Sequence, residues 1–203
     1  MAAYKWLRKD QDAYRNVDFA KPPVLEDTET LYKLFTNAVA KHADRPCLGS
    51  RSYSEAKGGA GAYVFETYAE VKSHVDALGA ALTAVGVGAG DRVGIYGANS
   101  PSWMKTMQAC NRQSSWCIPL YDTLGEGAIE YIVKHAECSI IFASDVKLPT
   151  LLNSLPKLPA VKTVVVWGPR SMELVKVLSC TAVCPCSMDA NTGCAHGRQG
   201  NDV

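Results

Sequence analysis

From Arg92 to Trp167 the chain alternates between two hydrophobic periods, and this alternation restricts the fold more than any other feature. Short runs rich in β-branched and small apolar residues, at 92–96, 116–120, 139–143 and 161–167, read as strands. Segments with apolar residues three and four apart lie between them. Trp103, Met104, Met107 and Cys110 mark one helix, with Ser100 as its N-cap and Pro101 at its first position. Ala128, Ile129, Ile132, Val133 and Ala136 mark a second, and 148–155 a short third that Pro156 stops. Strands alternating with helices build βαβ units, whose right-handed crossovers give a parallel sheet with helices on its faces. The expected fold is therefore α/β, with the strands in the order of their βαβ units.

Upstream, residues 1–26 are polar, broken by Pro22 and Pro23, and read as an extended lead-in. A helix should start near Asp27 or Thr28, carry Leu31, Leu34, Phe35, Ala38 and Val39 on one side, and end at Arg45-Pro46. The runs 47–53 and 62–66 flank a glycine-rich stretch and predict a β-hairpin. Thr67 and Glu70 form a capping box that opens the clearest amphipathic helix, through Tyr68, Val71, Val75, Leu78, Leu82 and Val85. Gly86, Gly88 and Gly90 then follow a helix and precede a strand. A dinucleotide loop needs the reverse order, so these glycines read as a helix end and turn.

Beyond Gly168 both periods fail. Residues 172–178 would make a turn or two of helix, and 181–203, rich in Cys, Gly and Asn, is expected to be disordered. The chain thus divides into a lead-in (1–26), a folded unit (27–168) and an off-pattern tail (169–203). Cys47, Cys110, Cys117 and Cys138 sit in apolar segments and read as reduced core residues. Cys180, Cys184, Cys186, Cys194 and His196 could suggest zinc, but the Cys184–Cys186 spacing is too short for the usual pair. His42, His74 and His135 fall on predicted helices with no nucleophile placed beside them, and read as solvated or hydrogen-bonded. The glycines at 193, 197 and 200 lack the lysine and the strand–helix setting of a phosphate loop.

With 47% hydrophobic residues in 203, the chain can bury a core; 21 basic against 20 acidic residues exclude nucleic-acid binding through bulk positive charge. No apolar run reaches the ~20 residues that span a bilayer. No secretory leader is read at the start, and the final Asn201-Asp202-Val203 is not a peroxisomal address.

Two segments are far more specific than these patterns: Tyr96-Gly97-Ala98-Asn99-Ser100-Pro101-Ser102-Trp103, and Cys117-Ile118-Pro119-Leu120-Tyr121-Asp122-Thr123-Leu124-Gly125. With Ala109-Cys110-Asn111 between them, and with Thr67-Tyr68, Gly86-Val87, Lys134-His135-Ala136-Glu137 and Lys162-Thr163-Val164-Val165 in the same order, the chain resembles the eukaryotic long-chain acyl-CoA synthetases of the adenylate-forming superfamily, plant and algal members above all. The resemblance covers residues 13–168. It implies an incomplete N-terminal subdomain of an enzyme that uses ATP, Mg²⁺ and coenzyme A to turn fatty acids into acyl-CoA through an acyl-adenylate. It also implies that the phosphate-binding loop, the ribose anchor and the mobile lysine lie downstream. No catalytic, cofactor-binding or metal-binding residue is carried over, and none of the three cofactors is expected to bind this chain well. The family usually has an acid where Ser102 stands, so a few tenths of a kcal/mol at that helix start should be missing.

The leading expectation is an AMP-forming long-chain acyl-CoA ligase represented by a truncated chain, inactive alone. A non-catalytic interaction module derived from the ligase is the alternative, and the misplaced glycines argue against a nucleotide-dependent oxidoreductase. The resemblance implies a cytoplasmic protein without a transmembrane segment, with peripheral contact at the endoplasmic reticulum as an option. Self-association is expected through sheet surface left bare beside Val164, Val165 and Val166.

Overall fold

The computed structural model describes residues 6–10, 13–16, 29–54, 59–121, 123, 127–168 and 183–185. Strands β1 (Trp6–Asp10) and β2 (Ala13–Asn16) pair antiparallel within the expected extended lead-in. Helix α1 (Leu31–His42) follows, its N-cap Thr30 accepting from the Lys33 amide. Strands β3 (Pro46–Ser54) and β4 (Gly59–Thr67) form the expected antiparallel hairpin. Helix α2 (Tyr68–Ala84) opens with the Thr67–Glu70 capping box, both reciprocal bonds being made. It ends where Gly86 takes φ of 86°, the helix-end role read from the sequence.

A parallel sheet follows: β5 (Arg92–Tyr96), α3 (Pro101–Gln113), β6 (Trp116–Leu120), α4 (Ala128–His135), β7 (Ile140–Ser144), α5 (Leu148–Ser154), a 3₁₀ turn at Leu155–Lys157 and β8 (Thr163–Trp167). The pairs β5–β6, β5–β7 and β7–β8 are all parallel, as the alternation requires. The strand order, β6-β5-β7-β8-β9, differs from the order of the βαβ units. Alternation fixes strand direction but not the side on which each strand is added. After β6 the chain crosses back over β5, so α3 covers one face while α4 and α5 cover the other.

The two cores separate by side-chain parity along each strand. Leu120, Ile141, Ala143, Val164 and Val166 meet Ile129 and Val133 of α4 and Leu148 and Leu151 of α5. Val93, Ile95, Ile140, Phe142, Val165 and Trp167 meet Leu78 and Leu82 of α2 and Ala109 and Cys110 of α3. A strand packed on both faces reads as a continuous apolar run, which is why 140–143 and 164–167 are buried without interruption.

Two expectations are corrected here. Val164, Val165 and Val166 are not bare: they are 3%, 8% and 0% exposed, because helices cover both faces of β8. Three residues of the tail, Val183–Pro185, form strand β9 parallel to β8, with Val183 opposite Val164. The β-branched edge of β8 accepts a short strand although the tail as a whole lacks a hydrophobic period. The other residues of 169–203, with the zinc-like Cys180, Cys186, Cys194 and His196, lie outside the described residues.

Helices α1, α2 and α3 are joined by one carboxylate. Asp76 accepts from the Tyr32 hydroxyl at 2.8 Å, from Arg112 Nε at 3.1 Å and from Lys72 Nζ. Burial opposes its ionisation, but the bonds from Lys72 and Tyr32 and the charges of Lys72 and Arg112 outweigh burial and hold its carboxyl below the usual range. An unfolded Asp titrates near 3.9, so the contribution of Asp76 should be complete above about pH 4 and disappear as pH falls through its lower native pKa. Urea titrations from pH 6 to pH 3 should show Asp76→Asn less stable at pH 6 and the gap to the wild type closing on acidification. Phe142→Ala, on a central strand and 1% exposed, should cost about 3–5 kcal/mol in the same assay. Val64→Ser, on the exposed hairpin, should stay within about 0.5 kcal/mol.

Candidate functional site

In an open parallel sheet, ligands settle beyond the carboxyl ends of the strands, where the order reverses. Here that point lies between β5 and β7. The strand ends there are closely packed at two glycines. A Cβ on Gly97, just past β5, would stand 2.9 Å from Trp167 Cζ2 and 3.1 Å from Ser144 Oγ. Gly168, with φ of 127°, backs onto the Asp145 carboxyl, whose Cγ a Cβ would meet at 2.4 Å. The Asp145 amide donates to the Trp167 carbonyl at 2.7 Å, and Lys147 stands over the Tyr96 ring at 5.9 Å. The ends of three strands are thus packed against one another.

Open space lies beside it. A groove of about 470 Å³ runs between the hairpin, through Leu48, Ser50, Arg51 and Tyr63, and the start of α3, through Asn99 and Met104. Its floor follows from local sequence chemistry. Ser100 Oγ accepts from the Trp103 amide at 3.2 Å, and Pro101 starts the helix with the preset φ of that ring. Arg51 is tied to the hairpin, donating to the Gly61 carbonyl at 2.7 Å and the Ala60 carbonyl at 2.9 Å, with its guanidinium over Tyr63.

The groove's two walls are joined by ions. Lys105 Nζ donates to both carboxyl oxygens of Glu66, each at 3.1 Å, and His74 Nδ1 lies 2.8 Å from Glu66 Oε2. His74 is therefore a hydrogen-bonded helix histidine, while His42 lies near the Tyr68 ring and His135 stacks on Tyr131. The three occupy separate helices, and none is brought to another. Sequence reasoning singled out none of Arg51, Glu66, Asp76 or Lys105 as an interacting group. Each pairs across elements, and only Asp76 has a local signal as well: Lys72 stands four positions before it on α2.

Among the described residues, no donor set shaped for a nucleotide or a metal is assembled at these places. Gly97 is packed closely against Trp167 and Ser144, the Arg51 guanidinium is engaged on hairpin carbonyls, and among the described residues no three of His, Cys, Asp and Glu group to hold a metal. The thiols of Cys47, Cys110, Cys117 and Cys138 are unsuited to nucleophilic work. Burial pushes Cys110 up to about 12 and Cys117 and Cys138 to about 11, and burial and then the Glu66 charge raise Cys47. No helix among the described residues is long and apolar enough to cross a membrane.

A family model for AMP-binding enzymes matches residues 35–185. The chain is 46% identical over 144 residues to long chain acyl-CoA synthetase 3 of Arabidopsis thaliana, covering 71% of this chain and 21% of that protein. It is 42% identical over 164 residues to synthetase 4 of the same plant, covering 79% and 24%. It therefore spans between a fifth and a quarter of the length of these curated relatives. Among solved structures, the carboxylic acid reductase A-PCP didomain from Segniliparus rugosus, in complex with AMP, superposes with a TM-score of 0.67 at 17% identity, over 79% of this chain and 26% of that one. An anthranilate CoA ligase in complex with anthranoyl-AMP gives 0.60 at 18%, over 71% and 26%. At such identities these two structures speak for the fold alone.

The packing around Gly168 yields a direct test. Gly168→Ala would combine a disfavoured φ with a Cβ inside the Asp145 carboxyl, and should cost about 2–4 kcal/mol in urea unfolding. Gly88→Ala, where a Cβ would meet only Asp91 Oδ2 at 4.0 Å, should cost far less.

Proposed function

The chain belongs to the family of AMP-binding enzymes, and on that premise we propose that it is one part of a long-chain fatty acid–CoA ligase. The observation that carries the reading is the 46% identity to a long chain acyl-CoA synthetase over 144 residues, on the fold that adenylate-forming enzymes share. The whole protein would activate a fatty acid with ATP, releasing pyrophosphate and forming an acyl-adenylate. The coenzyme A thiol would then displace AMP to give the thioester. Mg²⁺ would accompany ATP, because charge builds on phosphate oxygens in such transfers.

Residues 27–168 would serve that enzyme as a scaffold. The sheet would position the loops at its carboxyl edge, and the groove wall at Asn99–Met104 would face the remainder of the enzyme. Asp145, Gly168 and Gly97 would lock the strand ends, giving the later part of the protein a rigid base. The close packing at Gly97 and Gly168 and the lack, among the described residues, of a metal-holding group support placing adenylation outside this stretch, so the reading routes no chemical step through the residues described.

Two experiments test this. Purified chain with Mg-ATP and palmitate should release no pyrophosphate. Nor should it show a melting shift, although a ligand specific to the folded state would add about 2.7 kcal/mol at 100 times its Kd. Residues 27–168 exchanged for the matching stretch of Arabidopsis synthetase 3 should give a chimera that still makes palmitoyl-CoA. A chimera that folds and makes none would overturn the assignment, and turnover by the isolated chain would place the nucleotide site within it.

A further inference from the structure

We propose that Glu66 and Lys105 form an ionic clamp that holds the β3–β4 hairpin against the first turns of α3 and so sets the opening of the groove between them. The hairpin has little else to hold it there. Most of β4 is exposed, including Tyr63, Val64 and Phe65, and a two-stranded ribbon is marginal alone. At its base the Tyr68 amide donates to the Arg45 carbonyl and the Ala69 amide to the Ala43 carbonyl, which fixes where the hairpin begins but not how it leans. The side-chain tie to α3 is Glu66, whose oxygens both accept from Lys105.

The burial is asymmetric. The Lys105 side chain is 5% exposed and that of Glu66 29%. A buried ammonium without a partner is severely penalised, so Lys105 demands a carboxylate at this position. Glu66, near the base of β4 and opposite Leu48, meets that demand with the hairpin lying against α3. The charged and titratable groups around the pair are His74 from α2, bonded to the same carboxylate, and Cys47 from β3, which feels the Glu66 charge. Lys105 directly follows Met104, and Leu48 of β3 lies two positions in register from the strand's start, opposite Glu66 itself. The clamp residues therefore adjoin lining residues on both walls, and a small change in their separation moves the walls directly.

Hydrogen exchange on the full chain, resolved by peptide, tests the clamp. Glu66→Gln leaves Lys105 charged without a counter-charge, and should speed exchange of the amides at 47–51 and 59–66 about tenfold or more. The amides of β5 and β7 should keep their protection. Lys105→Met removes the buried charge with a side chain of similar length, and should speed hairpin exchange much less than Glu66→Gln. That ordering separates a clamp driven by the buried cation from a pair that merely adds contacts. Unchanged hairpin exchange in Glu66→Gln, an equal effect of the two variants, or loss of protection spread evenly into β5 and β7 would each overturn the proposal.

Discussion

Everything in this fold depends on a parallel sheet being covered on both faces. Parallel strands are joined by crossovers, and each crossover helix must bury an apolar stripe on the sheet it spans. The two cores divide strictly by strand parity: Ile141 and Val164 belong to one, Phe142 and Val165 to the other. One residue of slippage in any strand would exchange the two sets, so register is specified twice over. The reversal after β6 then decides which helix serves which face, and brings Gly97, Ser144 and Trp167 together at the carboxyl edge.

Much of this was legible in the residues because it is local. The Thr67–Glu70 box, the Ser100-Pro101 helix start, the glycine turn after α2 and the hairpin all follow from rules acting within a few positions. Strand direction followed from the alternation. Strand order did not, since a helix of given length can return its strand on either side of the one before. The cover over Val164–Val166 was misjudged because burial depends on what packs above, and β9 was missed because three residues are too short to show a period. The ion pairs were illegible for a similar reason: Glu66 and Lys105 are 39 positions apart, and Tyr32 and Asp76 are 44.

The molecule is uneven in how its parts are held. The sheet and its helices are tied by continuous apolar packing, whereas the hairpin is tied through polar groups near its base and carries exposed aromatics. Such a division fits the proposed role, in which a rigid sheet would support elements that meet the remainder of a larger enzyme. The groove lies along the boundary between the tightly and loosely held regions, with one wall from each.

The contact at Gly97 also limits how this sequence can diverge. The space a side chain would need there is already taken by the Trp167 ring and by Ser144. Drift at position 97 is closed while tryptophan occupies 167, and a smaller residue at 167 would leave a hole in the second core unless 97 grew to fill it. Positions 70 apart are thereby bound to a common history: a lineage that changes one must, within a few substitutions, change the other.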